Sequence, residues 1–166
     1  MINFSKIKKD YLPIKRGFLV VEVLVVASII TASVLAAMAV AQKSMYVSRQ
    51  SFHATQTAFL LEEGAEAVRI LRDNAWSNIS SLTAGTNYYP TFSGGTWTLS
   101  QTANTVGIFT RTVSIAPVNR DNTTKDISIA GTDDPKTKLI TVTVFWTEGS
   151  ATPTKTLKFY VMDIFS

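Results

Sequence analysis

Cysteine is absent from this chain of 166 residues, and histidine occurs once, as His53. Without thiols there is no disulfide framework, no thiolate nucleophile and no cysteine-based metal centre. A lone imidazole without acidic partners builds neither a catalytic triad nor a zinc site, so His53 reads as a surface or packing residue. The sequence also lacks a nucleophile elbow, a P-loop, a dinucleotide fingerprint and an HExxH run. Carboxylate-only catalysis would fall to Glu62, Glu63 and Glu66, whose spacing is that of an ordinary solvated helix face. The expectation is a protein that is not an enzyme and that uses no cofactor and no metal.

Charge is missing where it matters most. Between Glu22 and Lys43 no residue is ionisable, and between Pro13 and Pro90 there is no proline. The uncharged stretch Val23–Gln42 would span roughly 30 Å as a helix, the thickness of a bilayer core. Its polar exceptions are Ser28, Thr31 and Ser33, with small residues at Ala27, Ala32, Ala36, Ala37 and Ala39 that permit close helix–helix approach. Glu22 stands at its entrance. A carboxylate costs on the order of 2.5–3.5 kcal/mol at mid-bilayer, so an acid beside such a segment is a functional hypothesis by default.

The net charge of +4 is confined to the front of the chain. Lys6, Lys8, Lys9, Lys15 and Arg16 precede Phe18 with Asp10 as the only acid, and from Phe18 onward eleven bases meet eleven acids. The basic front fits retention of cationic flanks in the cytoplasm, with the C-terminal part outside. A formally neutral remainder argues against a nucleic-acid partner. A secretory signal would place its cleavage site after the apolar run. Here the only processing point the sequence offers would lie before the apolar run.

Helical spacing continues beyond the apolar run. Leu61, Ala65, Val68 and Leu71 or Arg72, extended by Ala75 and Trp76, predict an amphipathic continuation to about Ser77. Glu66–Arg69 and Arg69–Asp73 are spaced for surface ion pairs on its other face. After Ser80 the composition turns to Ser, Thr, Gly and aromatics. Asn87-Tyr88-Tyr89-Pro90 and Ser93-Gly94-Gly95 read as loops. Strands are expected at Thr96–Gln101, Ile108–Ala116, Ile127–Ala130, Lys138–Thr147 and Lys155–Ile164, the last two as a hairpin. The predicted fold is α+β, a long hydrophobic-then-amphipathic helix packed on a small antiparallel sheet of about four strands.

Other signals are weaker. Asp121, Asp126, Asp133 and Asp134 lie in oxygen-rich loops, but their spacing matches no EF-hand. Asn78-Ile79-Ser80 and Asn122-Thr123-Thr124 fit a glycosylation pattern short enough to arise by chance. Tyr88, Tyr89, Trp97 and Trp146 are expected mainly in the core.

Lys15-Arg16-Gly17-Phe18-Leu19-Val20-Val21-Glu22-Val23-Leu24-Val25 resembles the processing motif of the type IV pilin and pseudopilin superfamily. The resemblance covers about the first quarter of the chain. It implies cleavage between Gly17 and Phe18 by a prepilin peptidase that reads the basic leader with Lys15 and Arg16. It further implies N-methylation of Phe18 and pairing of Glu22 with the new amino terminus of a neighbouring subunit. Residues 1–17 would then be a cleaved leader, 18–42 a transmembrane and filament-core helix, 43–80 its amphipathic continuation and 81–166 the sheet domain. The implied partners are the peptidase, other pilin or pseudopilin subunits, an inner-membrane assembly platform and, before assembly, the lipid bilayer. The implied location is a single pass through the inner membrane, then an extracellular or periplasmic filament.

Departures from the family pattern narrow the subclass. No helix-kinking proline stands near Ala39, Thr31 replaces a frequent glycine, and a C-terminal disulfide is impossible. The run Leu61-Glu62-Glu63-Gly64-Ala65-Glu66-Ala67-Val68-Arg69 and the later Phe109-Thr110-Arg111-Thr112-Val113 are more similar to V-type minor pilins or small I-type pseudopilins of type II secretion. A major pilin of a thin filament, or a membrane-anchored module for adhesion or DNA uptake, is the alternative.

Overall fold

A computed structural model describes residues 16–164. The chain divides into two compact units, Met1–Gln50 and Ser51–Ser166. Helix α1, Arg16–Asn74, runs for 59 residues through both. It begins two residues ahead of the expected Phe18, and the leader residues up to Lys15 lie outside the described residues. No proline interrupts the helix, so each carbonyl keeps its partner four residues on.

In the first unit, the described part of α1 is exposed along its length. Its hydroxyls are nevertheless satisfied. Ser28 donates to the Val25 carbonyl at 2.7 Å, Thr31 to Ala27 at 2.8 Å and Ser33 to Ile29 at 2.8 Å. This back-bonding lets polar side chains sit on an apolar helix without an unpaired donor.

In the second unit, the later turns of α1 lie on a sheet. Ala65, Val68 and Leu71 join Val113, Ile115, Ile140, Val142 and Val161 in the main core, as the helical spacing predicts. Leu60 enters a second cluster with Phe109, Val144 and Trp146. Ala75, expected to extend the stripe, is exposed because α1 has already ended at Asn74. The Asn78 amide there donates to the Leu71 carbonyl at 3.0 Å, which also accepts the Ala75 backbone N–H at 3.2 Å. A short helix α2, Ser77–Ser80, carries Ile79 into the core.

The strands are β1 Tyr89–Ser93, β2 Thr96–Ser100, β3 Thr105–Val106, β4 Phe109–Arg120, β5 Ile127–Ser128, β6 Thr132–Trp146 and β7 Thr154–Met162. The main antiparallel sheet runs β3-β4-β6-β7, with β5 paired to β4. Opposite residues sort the two faces. Val113↔Val142↔Leu157 and Ile115↔Ile140↔Phe159 face the helix, and Thr112↔Thr143↔Thr156 lies on the other side. The β6–β7 hairpin forms as expected, closed by the Glu148–Ala151 bridge.

Several elements differ from the sequence expectation. The segment read as a loop at Tyr89-Pro90 is strand β1, which pairs with β2 in a sheet of its own. The turn between them is Gly94-Gly95, with φ of 60° and 82°, the left-handed pair that a two-residue hairpin turn requires. Tyr88 ties this hairpin to the main sheet by exchanging backbone hydrogen bonds with Val113 at 2.8 and 2.7 Å. Strands β4 and β6 also run further than expected, into a segment that reads as loop because of Pro117, Asp133, Asp134 and Pro135. A register shift between Pro117 and Asn119 absorbs that irregular stretch, and pairing resumes at Asn119↔Asp133.

Candidate assembly site on the amino-terminal helix

Leu19 to Val47 supplies the largest concentration of exposed apolar side chains, including Val23, Leu24, Ile29, Ile30, Leu35 and Met38. This helix is long and apolar enough to cross a membrane by length and composition. Glu22 lies on it, exposed, next to Leu19, Val23, Val26 and Ala27. Among the described residues no ion pair or hydrogen bond reaches its carboxylate. A carboxylate among aliphatic side chains is costly in lipid when it is left charged and unpaired. Gly17 and Phe18 lie in the first turn of α1, and Lys15 falls outside the described residues.

Downstream of this segment Lys43 sits 5.1 Å from the Tyr46 ring, and Gln50 donates to the Tyr46 hydroxyl at 2.7 Å. Neither Lys43 nor Arg49 has an acidic partner among the described residues.

His53 packs. Its ring centroid is 5.9 Å from that of Phe109 and 6.1 Å from that of Trp146, both edge-on. Trp146 and Tyr88 are buried, and Trp97 packs against the core, as expected for aromatics near strands. No group of three or more His, Asp or Glu side chains placed for a metal occurs among the described residues. Asp121 instead accepts the backbone N–H groups of Thr123 at 2.7 Å and Thr124 at 2.9 Å, which hold its carboxyl below the usual range. Asp134 accepts from the Thr137 hydroxyl at 2.7 Å and from Arg120 at 2.6 Å, and both lower its pKa. Asp121 therefore closes its own loop, and Asp134 holds β6 to β4 through Arg120.

The acids on α1 need correction. Glu66 meets Arg69 at 3.3 Å as expected, but Asp73 pairs with Arg72 at 2.7 Å rather than with Arg69. Glu63 does more than face solvent. Its carboxylate receives Arg111 Nη1 at 2.9 Å, and the same nitrogen donates to the Leu60 carbonyl at 3.3 Å. Arg111 is only 4% exposed and stacks 5.6 Å from the Trp97 ring centroid. It is a cation built into the helix–sheet contact, and motif reasoning missed that role. The available signal was parity, since Arg111 shares the inward register of Phe109, Val113 and Ile115.

The architecture is thus pilin-like: a long apolar helix whose later turns pack on an antiparallel sheet. Comparison of the chain with protein-family models, curated proteins and solved structures returned no match.

Proposed function

We propose that the chain is a prepilin, a structural subunit of a type IV pilus or type II secretion-like filament. Within that class its departures from the family motif favour a minor pilin or pseudopilin. The observation that carries this is Glu22, an exposed carboxylate with no partner among the described residues, at the start of a membrane-length helix and five residues after Gly17. Cleavage between Gly17 and Phe18 creates a cationic amine close to that acid. In lipid each of these charges is costly alone. When helices bundle, the amine of one subunit neutralises Glu22 of its neighbour, and the cost of leaving either unpaired selects the register. The prepilin peptidase and an inner-membrane assembly platform are the partners this scheme requires. The protein waits as a single-pass membrane subunit with its sheet domain outside the cytoplasm.

Mass spectrometry of the assembled protein tests the scheme. The expected mature terminus is N-methylated Phe18, and a Met1 terminus in assembled material overturns it. Glu22→Gln is expected to be cleaved normally yet to enter sheared filaments poorly.

A further inference from the structure

Charge along α1 is segregated. From Val23 to Leu61 the only full charges are Lys43 and Arg49, and then Glu62, Glu63 and Glu66 follow within five residues. Side chains on one helix meet at three- and four-residue spacing, so the two groups do not neutralise each other within a copy. Glu62 has no ion pair among the described residues, and Glu66 holds Arg69 only across an exposed 3.3 Å contact. These two acids, with Glu63, rim a groove floored by Phe59, Trp97 and Leu157; Arg69 also lines it, and Glu63 is already held by Arg111 at 2.9 Å. Phe59 is 68% exposed although it lies beside the core residue Leu60.

We propose that this groove receives the Lys43–Arg49 stretch of a second copy of the chain, an inference that rests on the filament reading above. The argument is charge complementarity. With Glu63 held by Arg111, the acidic excess of the groove comes from Glu62 and Glu66 against Arg69, and it disfavours an anionic lipid surface and favours a cationic occupant. The aromatic face of Phe59 adds attraction for an ammonium or guanidinium. The chain itself carries a matching segment, two cations without acidic partners flanking Tyr46, in a region with no acid. Because donor and acceptor patches differ, the contact is heterologous, the type that propagates into an open filament when its rotation does not close.

The absence of native cysteine allows a direct test in the full-length chain in membranes. One copy carries Tyr46→Cys and a co-expressed copy carries Phe59→Cys, so that neither loses a charge. The expected result under mild oxidation is a mixed Tyr46→Cys/Phe59→Cys disulfide, identified by peptide mass spectrometry, in excess over both same-site disulfides. Adding Glu62→Lys and Glu66→Lys to the second copy lowers its yield about fivefold, and Lys43→Glu with Arg49→Glu in the first copy restores it. Same-site disulfides alone, or a yield indifferent to charge reversal, overturn the proposal. Filament formation by the unaltered chain is scored separately by electron microscopy. Filaments without the mixed disulfide sink this contact alone, and a charge-sensitive mixed disulfide without filaments sinks the filament reading and keeps the contact.

Discussion

Arg111 shows how one side chain joins several levels of this protein. Its guanidinium reaches Glu63 and the Leu60 carbonyl on α1 while its face rests on Trp97 of the β1–β2 hairpin, so one residue of β4 fastens three elements. Arg111→Ala is expected to lower stability by about 1.5–3 kcal/mol, the range for charge-assisted hydrogen bonds. Arg111→Met keeps the apolar stem and should recover part of the loss, as read by thermal unfolding. Asp134 supplies a pH-dependent term. Its folded pKa is depressed by Thr137 and Arg120, so its contribution is present above the ordinary aspartate range and is lost as pH falls through the folded value. Melting temperatures of Asp134→Asn and the unaltered protein should therefore differ near neutrality and converge in acid. A constant gap across that range contradicts this account.

At the scale of elements, α1 was legible in the sequence because one physical condition holds throughout: no proline, apolar residues at first all round and then at helical spacing. Its contact with the sheet was legible as a stripe but not in its closeness. A Cβ added at Gly64 would lie 2.7 Å from Val142 Cγ1 and 3.1 Å from Arg111 Cδ. Gly64→Val is thus expected to destabilise by about 1–3 kcal/mol through overpacking, despite removing a helix glycine, measured by chemical denaturation. The β1–β2 hairpin was hidden for a definite reason. Pro90 and Gly94-Gly95 are equally at home in loops and in a tight hairpin, and only the partner strand decides between them. The distal extension of β4 and β6 was hidden similarly, because the Arg120–Asp134 pair that supports it joins residues that look like loop in isolation. The proposal for Glu22 rests on the composition around it, which the sequence displays, whereas the role of Arg111 depends on pairing between strands distant in sequence.

On the scale of the whole molecule, the chain contains two compact units with opposite demands on their surroundings. The unit from Ser51 onward holds both described cores and both described sheets. A fragment starting at Ser51 is expected to be soluble and to unfold cooperatively on heating. The full chain is expected to need detergent or lipid, and partition of both into detergent checks this. Non-cooperative melting of the fragment would show that the earlier turns of α1 are needed to complete the core.

The near-uniform apolar surface of the amino-terminal helix has a geometric consequence. Twenty-odd aliphatic and small side chains specify how deeply the helix sits in an apolar medium, but they leave rotation about its own axis almost unspecified. Its hydroxyls do not break that symmetry, because Ser28, Thr31 and Ser33 spend their hydrogen bonds on the helix itself. Glu22 does break it, since turning the carboxylate away from a cation carries a cost that turning a valine does not. Under the filament reading, a single carboxylate near one end would therefore set the angular phase of the rod, much as a keyway sets the phase of a shaft.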